Sequence, residues 1–307
     1  MKSDYSLLKE LCAVRAASGS ERRMTDFVLS YIREHQKDWK KQPQIFEGDD
    51  FQDCIVLVFG EPRTAVFAHL DSIGFTVRYN NQLVKIGAPH VQSGLKLVGE
   101  DLQGEINCEI EFDEDRGITC KAERDIERGT VLTFEPNWRE TEETVQCCYM
   151  DNRLGVWNAL ELCKTLENGA IVFSCWEEHG GGSVPYLTKF LYEKYRIRQA
   201  LISDITWVTE GVPAGKGVVI SLRDSGLPRR SFVEKIIASA RQSGIPFQLE
   251  VEGSGGSDGT ELQKQPYPID WCFIGAPEDH VHTPDEIVHK RDIEAMVELY
   301  RWLMEKL

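Results

Sequence analysis

Three fragments with chemically useful side chains follow one another along the 307-residue chain: His69-Leu70-Asp71, Asp151-Asn152-Arg153 and Trp176-Glu177-Glu178. Asp204 comes next, and the chain later offers His280 and His282 in His280-Val281-His282-Thr283-Pro284. Two imidazoles with several carboxylates form a ligand set suited to a pair of divalent cations that share one carboxylate bridge. The fragments are tens of residues apart, so any such centre is assembled by the fold and is not a local motif. No Cys-x-x-Cys pair is present to suggest a thiolate zinc site.

Each fragment has a plain structural reading beside the chemical one. His69 and Asp71 lie two residues apart at the end of an apolar run, so in extended chain they face the same side. A carboxylate at that spacing can hold the second nitrogen of a ligating imidazole, or the pair can simply form a strand-to-loop corner. Asp151 precedes a helical pattern and fits either a bridging ligand or an N-cap. Glu177 and Glu178 would point to opposite faces of a strand, so a turn must redirect one of them, and Gly180-Gly181-Gly182 permits it. In that arrangement Glu178 serves a metal and Glu177 is left as general base. Asp204 ends a further apolar run, where α/β sheets usually place their sites. Spacing alone does not choose between His280 and His282.

The elements that position these residues alternate. Two N-terminal helices are expected, the second introduced by a capping box at Ser18-Gly19-Ser20-Glu21. Strands Cys54–Phe59 and Thr64–His69 follow, the second apolar enough to be buried on both faces. Between about Asn80 and Gln146 short alternating segments separated by Gly, Asp and Glu predict a small all-β insert. The α/β rhythm then returns: helix 154–166, strand 170–176, helix 184–195, strands 200–205 and 217–222, helix 230–243, strands 247–251 and 269–274. A last helix carries a core stripe of Ile293, Val297, Tyr300, Met304 and Leu307. The expected division is 1–79 with 147–307 as catalytic domain, and 80–146 as an inserted β-rich lid or oligomerisation domain.

A formal net charge of −15, from 35 basic and 50 acidic residues, argues against nucleic acid or an anionic membrane as partner. Nine cysteines, an odd number mostly in apolar stretches, read as reduced buried thiols. With no signal-peptide core and no membrane-length apolar run, a cytoplasmic location is expected.

The motifs resemble the glutamyl and tetrahedral aminopeptidases, co-catalytic metallopeptidases of the wider zinc-exopeptidase group. The matching fragments are His69-Leu70-Asp71-Ser72-Ile73-Gly74-Phe75, Asp151-Asn152-Arg153-Leu154-Gly155, Glu177-Glu178, Gly215-Lys216-Gly217, Gly255-Gly256-Ser257-Asp258 and His282-Thr283-Pro284-Asp285-Glu286. The last favours His282 over His280. The resemblance implies a mixed α/β sheet flanked by helices, with two divalent ions, zinc foremost and cobalt or manganese also suited. It implies one ion on His69, Asp151 and Asp204 and the other on Asp151, Glu178 and His282, with Asp71 orienting His69 and Glu177 taking a proton from water. It further implies a cis Asp151–Asn152 peptide, short peptide substrates and a homo-oligomer. Ser72, the His179-Gly180-Gly181-Gly182 run and a short insert depart from the family's pattern. Two rival readings are an N-acyl amino acid amidohydrolase or dipeptidase, and a catalytically silent peptide-binding relative.

Overall fold

The computed structural model describes residues 4–114 and 117–307. Its larger sheet is mixed, and the neighbouring strands Gly169–Ser174, Thr64–His69, Gln199–Trp207 and Asp270–Asp279 run parallel through its middle. All six residues of Thr64–His69 are buried, as a strand covered on both faces requires. Antiparallel strands complete the sheet on either side, with Gln44–Gly48 and Gln52–Phe59 at one edge. Ile287–His289, Thr144–Gln146 and Arg139–Glu140 lie at the other. The parallel Val218–Ser221 and Phe247–Glu250 pair attaches to Asp270–Asp279.

Helices flank this sheet in two groups. Met150–Cys163, Lys290–Lys306 and Arg230–Ser243 pack on one another and on the sheet, while Val184–Tyr195 packs with Asp258–Gln263. The C-terminal stripe is core, as its spacing predicts: Ile293, Val297, Tyr300, Met304 and Leu307 are all buried.

The second sheet has six antiparallel strands in the order Leu83–Ile86, Gly74–Val77, Val131–Phe134, Lys96–Asp101, Gly104–Asp113, Gly117–Lys121. Alternation drives it: Ile106, Cys108 and Ile110 face inward while Glu105, Asn107 and Glu109 face out. A bridge between Gln82 and Thr119 brings its edges together, so the sheet is nearly a barrel. The strands do not follow the expected limits of 80 and 146. Gly74–Val77 already belongs to the small sheet, whereas Arg139–Glu140 and Thr144–Gln146 extend the large one, because their partners are each other and Ile287–His289.

All nine cysteines are buried and unbridged. Among the described residues no helix is long and apolar enough to cross a membrane.

Candidate active site

Strand register builds half of the site. Ser174 aligns with His69, and Ile202 with Phe67, so the C-terminal ends of three adjacent parallel strands bring His69, Asp204 and the chain leading to Glu177 and Glu178 together. Nδ1 of His69 lies 3.2 Å from the carbonyl oxygen of Asp71 and 3.4 Å from its Oδ1. That contact leaves Nε2 facing Asp151 Oδ1 at 3.1 Å and Asp204 Oδ1 at 3.7 Å.

Asp71 also accepts from Ser18 Oγ at 2.6 Å and from the backbone N–H groups of Glu177 and Glu178, each at 3.1 Å. One buried carboxylate thus fixes an imidazole and the turn carrying both glutamates. The expected capping box does not form, because Ser18 is drawn to Asp71. Glu21 Oε1 accepts instead from the N–H of Gly19 at 2.8 Å and of Trp176 at 3.3 Å. The turn that redirects the glutamates is made at Trp176 (φ 62°), before them, with Gly180 and Gly181 also at positive φ after them. A non-glycine residue is held there because its N–H meets Glu21 and its carbonyl accepts from Gly181 at 2.5 Å.

Asp151 is freed by its neighbour. Asn152 does the capping: its Oδ1 accepts from the N–H of Gly155 at 2.9 Å, and its Nδ2 donates to the carbonyl of Ser203, also at 2.9 Å. Any Cβ on Gly155 would stand 2.1 Å from the Ser203 carbonyl, so this helix reaches the Asp204 strand only with glycine there. The Asp151–Asn152 peptide is cis. Arg153, fully buried, donates to the carbonyls of Leu70 at 2.6 Å and Asp71 at 3.1 Å.

On the more open side, His282 Nε2 lies 3.3 Å from Asp151 Oδ2 and 3.2 Å from Glu178 Oε2. Asp151 therefore turns one oxygen to each imidazole. Glu286 secures this side, accepting from the N–H of His282 at 3.0 Å and of Asp151 at 3.4 Å. His280 points elsewhere, its Nε2 3.8 Å from Asp279.

The ligand-type atoms of His69, Asp151 and Asp204 lie within 4.8 Å of one another, as do those of Asp151, Glu178 and His282. Glu177 belongs to neither group; its Oε2 stands 4.0 Å from His69 Nε2. Where protons alone balance these charges, burial and the Asp151 carboxylate push Glu178 up to about 7, against His282. Burial likewise lifts Asp204 to about 6 against the pull of His69. Burial, helped by Glu178, Asp204 and Asp258, carries Glu177 well above the usual carboxylate range despite His69. Burial would lower His282, but its contacts with Asp151 and Glu178 prevail and raise it to about 11. Glu178 Oε1 is buried with no hydrogen-bond partner. Crowded carboxylates, two imidazoles and an orphaned oxygen are a donor set that could hold divalent metal.

All seven residues singled out in the sequence therefore meet in one place. Ser18, Glu21, Arg153 and Glu286, which hold them, were not foreseen as supports; only the 282–286 motif carried a signal, for Glu286. A cavity of about 950 Å³ opens over the cluster.

The family model for M42 glutamyl aminopeptidases matches residues 81–299. A provisionally named aminopeptidase of Acetivibrio thermocellus is 25% identical over 331 residues, covering 96% of each chain. Among solved structures, the aminopeptidase APDkam598 of Desulfurococcus kamchatkensis is similar at a TM-score of 0.86 with 19% identity, over 98% of this chain and 94% of that one. The TET1 peptidase of Pyrococcus horikoshii is similar at 0.82 with 22% identity, over 99% and 100%. With the family model spanning more than half the chain, the protein belongs to the M42 glutamyl aminopeptidase family, and is a peptidase hydrolase.

Proposed function

We propose that this metal-dependent aminopeptidase is dinuclear and removes N-terminal residues from short peptides. The observation that carries the reading is Asp151, whose Oδ1 faces His69 and whose Oδ2 faces His282. His69, Asp151 and Asp204 would hold one ion, and Asp151, Glu178 and His282 the other. When bound, the ions supply Lewis acidity to the scissile carbonyl and ease deprotonation of water.

The chain's own groups then do the rest. Glu177 accepts the proton of the attacking water and returns it to the leaving amine. Asp71 keeps the proton of His69 on Nδ1 and holds the backbone of Glu177, so the base and the imidazole keep one relative position. The segment after Leu83–Ile86 contributes Gly87 to Val91 to the cavity wall, and the His90 N–H donates to the His282 carbonyl at 2.8 Å. That contact supports reading the inserted β-structure as a lid, with no insert residue in either ligand group among the described residues. Assembly of similar chains, such as the tetrahedron or octahedral shell named for the TET1 peptidase, supports a homo-oligomer here.

Metal analysis combined with aminoacyl, N-acyl and blocked peptide substrates tests the reading. Two ions per chain and cleavage only of substrates with a free amine are expected. Preference for N-acyl substrates would replace it with an amidohydrolase, and no turnover by the metal-loaded protein with a silent relative.

A further inference from the structure

Seven carboxylates line the cavity, and four of them, Asp151, Glu177, Glu178 and Asp204, belong to the centre already described. Two dications would balance those four. Asp224, Glu250 and Glu252 remain, and none of the three has a cationic partner among the described ion pairs. Lys85, on the small-sheet side, is the lysine or arginine that lines the same space. Arg223 is not in the wall, and its Nε is engaged by the backbone carbonyl of Asp224.

Their placement follows from the sheet. Asp204 and Thr206 are two residues apart on one strand, so they share a face and stand roughly 7 Å apart along it. Thr206 Oγ1 donates to Glu250 Oε1, which fixes that carboxylate one such step from the centre. Glu250 is only 3% exposed, at the end of Phe247–Glu250. Asp224 is held by the Gly226 N–H at 2.5 Å and by the hydroxyls of Ser257 and Thr260, each at 3.4 Å. Trp207 and Phe273 add apolar wall to the same cavity. Glu178 and Asp204 of the centre line the same cavity, so it joins these carboxylates to the site of reaction.

We propose that this cavity selects peptides whose N-terminal residue is lysine or arginine, with Glu250 receiving the side-chain cation and Asp224 and Glu252 adding to its field. The proposal rests on the aminopeptidase reading, since the free amine must sit at the metal centre for the side chain to reach Glu250. A lysine or arginine stem spans the step from Asp204 to Glu250 and lays its methylenes along Trp207 and Phe273. A glutamyl side chain would bring a like charge into a partly desolvated pocket that already holds three. Burial pushes Glu250's carboxyl up against the hydrogen bonds of Thr206 and Ser221, and an incoming cation relieves that cost.

The test compares lysyl, arginyl, norleucyl and glutamyl coumarin amides on the zinc-loaded enzyme. Norleucine matches lysine in its chain but lacks the charge. We expect kcat/KM for lysyl and arginyl substrates to exceed norleucyl by about tenfold or more, with glutamyl slowest. Glu250→Gln should lower the lysyl-to-norleucyl ratio about tenfold. Glu252→Gln, at a half-buried position, should lower it by a smaller factor and serves if the first variant does not fold. Norleucyl or glutamyl turnover equal to lysyl would overturn the proposal while leaving the peptidase reading intact. An unchanged ratio in both variants would overturn the assignment to these carboxylates. Failure to cleave any aminoacyl amide would bring down the aminopeptidase reading, and this proposal with it.

Discussion

The two imidazoles of the centre are held by different kinds of structure. His69 ends a parallel strand, its side chain is 1% exposed, and Asp71, Arg153 and Ser18 converge beneath it. His282 sits on a loop at φ 63°, its side chain is 25% exposed, and it is held through its backbone, by Glu286 accepting its N–H and by the His90 N–H donating to its carbonyl. Sheet register places the first, and two backbone contacts on a loop place the second. The His69 half should therefore hold its ion more tightly than the His282 half.

Changes at the shared chemistry should have the largest effect. Glu177→Gln keeps shape and metal groups but cannot accept a proton, so turnover should fall about a hundredfold to ten-thousandfold with metal content near normal. Near-normal rates in a fully loaded variant would remove Glu177 from its role. Asp71→Asn attacks the sheet-built half and should weaken metal binding about tenfold to a hundredfold, read as zinc affinity. Glu286→Gln should act on the loop-built half, loosening one ion about tenfold while the other stays. Loss of both ions together would show that the halves are not separately supported.

A smaller effect concerns Glu21, which meets the turn at Trp176 on the Asp71 side. Burial, then the Asp71 carboxylate, raises its carboxyl from 4.5 to about 7, against the Gly19 and Trp176 N–H groups. A raised acid favours its protonated form in the folded state. Its contribution to stability is thus fully present below about 4.5 and lost as pH rises through about 7. The full swing is at most roughly 3 kcal/mol. Glu21→Gln does not titrate, so denaturant unfolding of the variant should show a flatter pH dependence over that window. Parallel slopes in variant and wild type would contradict the assignment.

What the sequence discloses follows the same division. His69, Asp204 and the Glu177–Glu178 pair were legible because each follows an apolar run, and such runs are local features. Helices Val184–Tyr195 and Arg230–Ser243 were equally plain, since period and boundary residues lie within the segment. The choice of His282 over His280 came from the resemblance alone, because a loop residue has no periodicity to read. The supports stayed hidden for a related reason. Ser18 looks like an N-cap and Arg153 like the surface of a helix until residues dozens of positions away arrive beside them. Asp151 kept two readings open, and the structure gives the cap to Asn152. The insert was evident from its alternation, but its limits moved because strand partners, which sequence spacing does not show, decide sheet membership.

The most direct test of the shared carboxylate is a zinc titration of metal-stripped protein, wild type beside Asp151→Asn, followed by calorimetry and metal analysis. Wild type should take up two equivalents, the first more tightly than the second, while the variant should hold neither tightly because both ions lose the charge they share. Two tightly bound zinc ions in Asp151→Asn would contradict the bridge on which this account depends.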